Sequence, residues 1–228
     1  MRILIVLSVL LATLTPALAD PAKRQITVSG QGSVEAVPDM ATIVLGVTHQ
    51  AAEAADAMAQ VRTESAAIIR ELTELGVADQ DMQTRSLSLS PVWSNRRNSN
   101  DAPPKITGFV ARNTLMIRVR DLETLGGLLD AVLGRGANYF SGLRFGLQNP
   151  DPLVDAARKD AVADARAKAE LLAEAAGVRL GAVMSITDHG DSGPVMMEAA
   201  AVARSAPDIA AGELTLRASV GVVYLIAD

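Results

Sequence analysis

One stretch, roughly Leu153 to Ala176, restricts the possible folds of this chain more than any other. Asn149-Pro150-Asp151-Pro152 supplies helix-start chemistry and Gly177 a stop. Between them Leu153, Ala157, Ala161, Ala165, Ala169, Leu172 and Ala176 recur along one side at helical spacing. A seam made almost wholly of methyl groups lets the helix axis come close to its neighbour. Asp155 with Lys159 and Asp164 with Lys168 lie away from the seam, each an acid four residues ahead of a base. Such pairs add a few tenths of a kcal/mol to a helix.

Upstream, the hydrophobic period alternates between that of strands and that of helices. Ile26 and Val28 begin a first strand that Gly30 and Gly32 are expected to end in a flexible turn. Ala41 to Val47, with Ile43, Leu45 and Val47 on one face, reads as a second strand. From Ala51 to Leu75 the apolar positions Met58, Val61, Ile68, Leu72 and Leu75 follow a helical period, which Gly76 stops. Leu87, Leu89 and Trp93 alternate in a third strand, and Ser94 to Lys105 reads as an exposed loop. Phe109 to Arg120 is a fourth strand with Leu115, Ile117 and Val119 inward. Leu122 to Leu133 is a short helix with Leu125, Leu128, Leu129 and Val132 as its stripe. A fifth strand carries Leu143, Phe145 and Leu147, a sixth runs from Ala182 to Ile186, and a last from Leu214 to Ile226. Asp188 to Gly212 is too long for an ordinary connection and predicts a mobile loop with a short helix near Met196 to Ala203. The predicted class is α+β. A mixed or antiparallel sheet has helices packed on one face, a βαββαβ-like central order, and a long C-terminal helix and strand.

The N-terminus carries an address. Met1-Arg2 is followed by an apolar run from Ile3 to Leu14 and by the small-x-small sequence Ala17-Leu18-Ala19. This reads as a secretory signal peptide, residues 1–19, cut after Ala19. The apolar run is too short to span a bilayer as a helix, for which roughly 20 residues are needed. Removing the first 19 of 228 residues leaves 209, and losing Arg2 takes the formal charge from −5 to −6. Residues 20–228 are expected to form one domain, with division into two subdomains left open. With no cysteine, the chain gains nothing from disulfides in an oxidising compartment, and a lipoprotein anchor is excluded. Dispersed basic residues, 3% aromatics and an acidic balance argue against nucleic acid as a partner. No later apolar run reaches membrane-spanning length, so the mature chain has no predicted transmembrane segment. Peripheral association with the envelope remains compatible with it.

A search for chemistry finds no reaction centre. Gly30-Gln31-Gly32-Ser33 lacks the third glycine and the following helix of a phosphate loop, so a turn is expected. Neither Gly-x-Ser-x-Gly nor His-Glu-x-x-His occurs. His49 lies at a strand-to-helix junction. Asp188-His189-Gly190-Asp191 offers one imidazole and two carboxylates, short of a closed ligand set, and Met196-Met197 a soft thioether pair without further soft ligands. Asp188, His189, Asp191, Met196 and Met197 are thus the weak metal candidates. No catalytic residue, cofactor or metal is expected.

An ordered series of residues nevertheless resembles one family. It begins with Val28-Ser29-Gly30-Gln31-Gly32, Pro38-Asp39, Leu75-Gly76-Val77, and Asp81 with Thr84. It continues with Pro91 near Trp93, Gly108-Phe109, Gly136-Ala137-Asn138, the alanines of the long helix with Lys168, Leu180-Gly181, and Gly212-Glu213. Over about Gln25 to Ile226 this series is similar to SIMPL-domain proteins, of the periplasmic immunogenic and oxidative-stress-defence type. The resemblance implies an α+β fold, a periplasmic location and self-association, and supplies no catalytic residues. Ala211 stands where a proline is common in the family. The expected function is that of a noncatalytic, self-associating envelope protein with a protective role under envelope or oxidative stress. The alternatives are a ligand-binding module that uses a mobile loop at 188–212, and a metal-dependent enzyme built on His189.

Overall fold

The computed structural model describes residues 24–94, 103–196 and 209–227, without the side chains of 191–196. The expected signal peptide, the tip of the Ser94–Lys105 loop, Met197 and the short helix expected near Met196 to Ala203 lie wholly or mostly outside these residues. In chain order the described elements are β1 (Gln25–Ala36), β2 (Met40–Ala51), α1 (Ala54–Glu74), β3 (Met82–Trp93), β4 (Ile106–Val119), α2 (Leu125–Gly134), β5 (Tyr139–Gly146), α3 (Asp151–Ala175), β6 (Arg179–Met196) and β7 (Leu214–Ala227). They form two antiparallel sheets, one ordered β1-β7-β6 and the other β3-β4-β2-β5. The α+β expectation holds. Pro38 falls between β1 and β2, where the chain leaves one sheet for the other.

The four-stranded sheet realises the βαββαβ order: β2 and β4 pair in the middle, and β5 and β3 are the edges. Ile43, Leu45 and Val47 of β2 and Leu115, Ile117 and Val119 of β4 point to one face. They enclose Val61, Ile68 and Leu72 of α1 and Leu125, Leu128 and Val132 of α2 in a single buried cluster. Burying a side chain of this size contributes about 1.5 to 3 kcal/mol, so this cluster dominates the stability of the layer. Gly76 and Gly136 follow α1 and α2 with φ of +88° and +101°, the left-handed conformation a helix C-terminus favours.

The three-stranded sheet is covered by α3, and here the alanine seam finds its neighbour. Ala157, Ala161, Ala165 and Ala169 are fully buried against Val28 of β1 and Ala218, Val220, Val222 and Tyr224 of β7. At its ends the seam departs from the expectation. Val154 and Ala173 are buried, whereas Leu172 is 48% exposed, because a helix at 3.6 residues per turn drifts away from a strict four-residue step.

Gly30 and Gly32 correct a second expectation. They do not end the first strand; β1 runs on through them to Ala36. A Cβ on Gly30 would overlap the carbonyl oxygen of Ala161 and lie 2.7 Å from the Ala165 methyl, and one on Gly32 would lie 2.5 Å from the Ala161 nitrogen. The strand is glycine where the helix is alanine, so the two backbones nearly touch.

Two more expectations change. The sixth strand does not stop at Ile186 but continues to Met196, so the connection to β7 is shorter than a loop over 188–212. Asp188-His189-Gly190 has turn chemistry, and the turn it forms is a bulge inside a strand. Gly190 has φ +80°, its N–H donates to Asp188 Oδ1 at 2.9 Å, and the β6–β7 register slips between Asp188 and Asp191. The expected third strand is present, and its apolar row is open: Leu87, Leu89 and Trp93 of the edge strand β3 are 55%, 42% and 55% exposed.

Candidate functional site

Polar side chains gather at three places among the described residues. The first is a groove of about 750 Å³ where α3 overhangs β1, lined by Gln31, Ser33, Asp164, Lys168, Arg217 and Ser219. Because β1 is the outer strand of its sheet, its backbone groups on the side away from β7 have no strand to bond. Two side chains of α3 take that role. The Gln31 N–H donates to Asp164 Oδ2 at 2.8 Å, and Lys168 Nζ donates to the Ser29 carbonyl at 3.1 Å and to Asp164 Oδ2 at 2.7 Å. The ammonium beside it, and then the Gln31 amide, hold the Asp164 carboxyl below the usual carboxylate range. A carboxylate so engaged is a poor general base, so the groove is suited to hold a polar group rather than to move a proton.

This engagement sets a pH dependence. Since the folded pKa of Asp164 is depressed, its contribution is present above the unfolded value of about 3.9 and is lost as pH falls through the folded value. Denaturant titrations of wild type and Asp164→Asn are expected to differ at pH 7 and to converge near pH 2. A gap that persists undiminished at pH 2 contradicts the assignment.

The second place is the end of the four-stranded sheet. Arg120 donates through Nε to Asp81 Oδ2 at 2.6 Å and through Nη2 to Asp81 Oδ1 at 2.7 Å, a two-pronged pair around a carboxylate only 3% exposed. Gln148 extends the network. Its backbone N–H donates to Asp39 Oδ1 at 2.7 Å, and its side-chain amide donates to the carbonyls of Asp39 at 2.9 Å and Arg120 at 3.2 Å. The hydrogen bonds from Arg120 lower the Asp81 pKa, while burial pushes the other way and loses. Four chain segments are tied here, and every carboxylate oxygen of Asp81 is committed.

The third place holds Asp188 and His189, the two metal candidates whose side chains are described. Asp188 turns toward α3, where its Oδ2 lies 3.2 Å from Arg158 Nε, while its Oδ1 accepts from Gly190. His189 leans over Gly221 of β7, where an added Cβ would lie 3.0 Å from its Nε2. Asp191 and Met196 belong to the same strand, and Met197 lies beyond the described residues. Among the described residues no three His, Cys, Asp or Glu side chains form a group suited to a metal ion. His49 lies within β2 rather than at its end. The Asp81–Arg120 pair and the engagement of Asp164 with the edge of β1 were not anticipated. Asp164 and Lys168 were visible as a helix pair, but their bonds to Ser29 and Gln31 span more than 130 residues of chain.

Comparison with known sequences places this architecture. The 26 kDa periplasmic immunogenic protein of Brucella melitensis is 37% identical over 214 residues, 89% of this chain and 84% of that protein. Its counterpart in Brucella abortus shows the same figures. The uncharacterized protein YggE of Escherichia coli K12 is 32% identical over 169 residues, 74% of this chain and 67% of that protein. The matching family model, described as a protein of unknown function (DUF541), indicates no catalytic family. It covers residues 26–224, from β1 to near the end of β7, and the chain belongs to the SIMPL family.

Proposed function

We propose that this chain is exported, works in the periplasm, and acts by assembling with further copies of itself rather than by catalysis, in protection of the envelope under oxidative stress. The leader-like residues 1–19 and the printed names of the Brucella relatives support the address. Among the described residues no helix is long and apolar enough to cross a membrane. Residues 20–228 are read as one domain whose two sheets are its subdomains.

The seam of α3 and the apolar last strand, either of which could have met another copy, are used up inside the chain. The seam lies on β1, and β7 has a strand on either side. The observation that carries the assembly reading is instead β3, a twelve-residue edge strand with Leu87, Leu89 and Trp93 in the open. An edge of this length and character is a template for another chain.

Size-exclusion chromatography with light scattering on protein recovered from the periplasm should find a chain beginning at Asp20 and an oligomer at micromolar concentration. The double variant Leu87→Glu/Leu89→Glu should shift it to monomer without lowering its melting temperature by more than about 1 °C, since both side chains are exposed. A strictly monomeric wild type overturns the assembly reading.

A further inference from the structure

Among the described residues no helix covers the face of the four-stranded sheet turned away from α1 and α2, and this face is unexpectedly basic for a chain of net charge −5. Register explains how the charges meet. Thr42 of β2 lies opposite Arg118 of β4 on one side and Arg144 of β5 on the other, so two guanidinium groups flank it across three adjacent strands. One step along, Val44 lies opposite Met116 and Gly142, and Met116 opposite Gln83 of β3. A break in the β3–β4 register between Thr84 and Ser86 leaves Arg85 as the extra residue, and Arg85 lines the same hollow.

The result is a cavity of about 660 Å³ with a half-buried apolar floor, Val44 and Met116, and a polar rim that includes Gln83, Arg85, Ser141 and Arg144. At Gly142 the floor is open: a Cβ there would meet nothing within 4 Å. No aspartate or glutamate lines the cavity. Asp81, whose carboxyl feels the charge of Arg118, already gives both its oxygens to Arg120. Among the described residues neither Arg85 nor Arg144 has an ion-pair partner. By contrast Arg112, farther along the same face, is occupied, stacking 4.5 Å from the centre of the Tyr139 ring and donating Nε to Thr48 Oγ1 at 3.0 Å.

We propose that this cavity binds a small amphipathic anion, a phosphate or carboxylate group on a short apolar stem. The stem lies on Val44 and Met116, and the anionic head takes the forks of Arg144 and Arg85, with Thr42, Gln83 and Ser141 as neutral donors. A guanidinium presents paired N–H donors that match the oxygens of either head group. The apolar floor separates this site from a merely basic surface, and the size of the cavity is ordinary for a small-molecule pocket. The proposal does not depend on the assembly reading: Gln83 and Arg85 belong to β3, but the site is a sheet face and not the unpaired backbone edge of that strand.

Isothermal titration of the mature protein with octyl phosphate below its micellar concentration tests it, with inorganic phosphate, octanol and phosphatidylglycerol vesicles as parallel probes. Octyl phosphate should bind at least 10-fold more tightly than inorganic phosphate and than octanol, and raising ionic strength should weaken it. Arg144→Ala and Arg85→Ala should each weaken binding about 10-fold, with unchanged melting temperatures because both side chains are exposed. Vesicle binding that both substitutions abolish assigns the same site to a lipid head group, and binding of octyl phosphate alone assigns it to a free anion. Equal affinity for inorganic phosphate or for octanol, no binding by octyl phosphate or vesicles, or binding indifferent to both arginines overturns the proposal.

Discussion

Gly30→Val is expected to destabilise the protein by about 3 kcal/mol or more, which for a chain of this length lowers the melting temperature by roughly 6 to 12 °C. The reason is the nature of the obstacle. The first added carbon would already overlap the Ala161 carbonyl oxygen and crowd the Ala165 methyl, and both belong to a helix held along its whole length. A flexible side chain could swing aside; a carbonyl cannot move without its helix. If α3 lifts by the necessary amount, every alanine of the seam loses its contact with β1 and β7 together. Thermal unfolding followed by circular dichroism measures this directly. Gly142→Ala serves as the control, because its Cβ meets no atom and should shift the midpoint by no more than about 2 °C. A Gly30→Val protein as stable as wild type would mean that α3 does not lie where the seam puts it.

Asp81→Ala should cost about 2 to 3 kcal/mol. Breaking a buried pair typically costs 3 to 5, but the Arg120 side chain is 45% exposed and regains water when its partner is removed. Asp81→Asn is expected to lose most of the same stability, since the amide keeps the volume but neither the charge nor both acceptors. The acid side provides the stricter check. Asp81 has a folded pKa below its ordinary value, so its stabilisation is complete above an unfolded pKa of about 3.9 and disappears as pH falls through the folded value. Wild type and Asp81→Asn should therefore differ most near neutrality and least at pH 2. Denaturant midpoints at pH 7, 4 and 2 decide the matter; a variant equally destabilised at pH 2 would show that packing, not the ion pair, is responsible.

What was legible in the sequence was whatever repeats locally. The helical periods of α1 and α2 and the inward rows of β2 and β4 could be read because each is a pattern within about 20 residues. Misreadings arose where one local chemistry serves two structures. Glycines in Gly30-Gln31-Gly32 suit a turn, yet here they make room for a helix whose residues lie more than 120 positions away. Asp188 and Gly190 suit a loop tip, yet they form a bulge in a strand. Leu87 and Leu89 alternate as core residues do, and only the order of strands places them on an exposed edge. The polar sites were less legible still. Arg85, Thr42, Met116 and Arg144 come from four strands, and no spacing along the chain announces that they line one cavity.

The pairing of β7 bears on when this protein can fold. Gln25 is opposite Leu225 and Ala36 opposite Leu214, so the first strand waits for the last. The strand on the other side of β7, β6, comes from the final quarter of the chain as well. During synthesis, therefore, the backbone of β1 has no strand to pair with until the C-terminal residues arrive, even once α3 is present to cover its apolar face, and closing so wide a loop is slow. An interrupted chain that lacks β7 would have its four-stranded sheet complete in sequence but two orphaned strands and a helix with no platform. Such a chain stays unfinished until its end is released, a timing that agrees with the export proposed above.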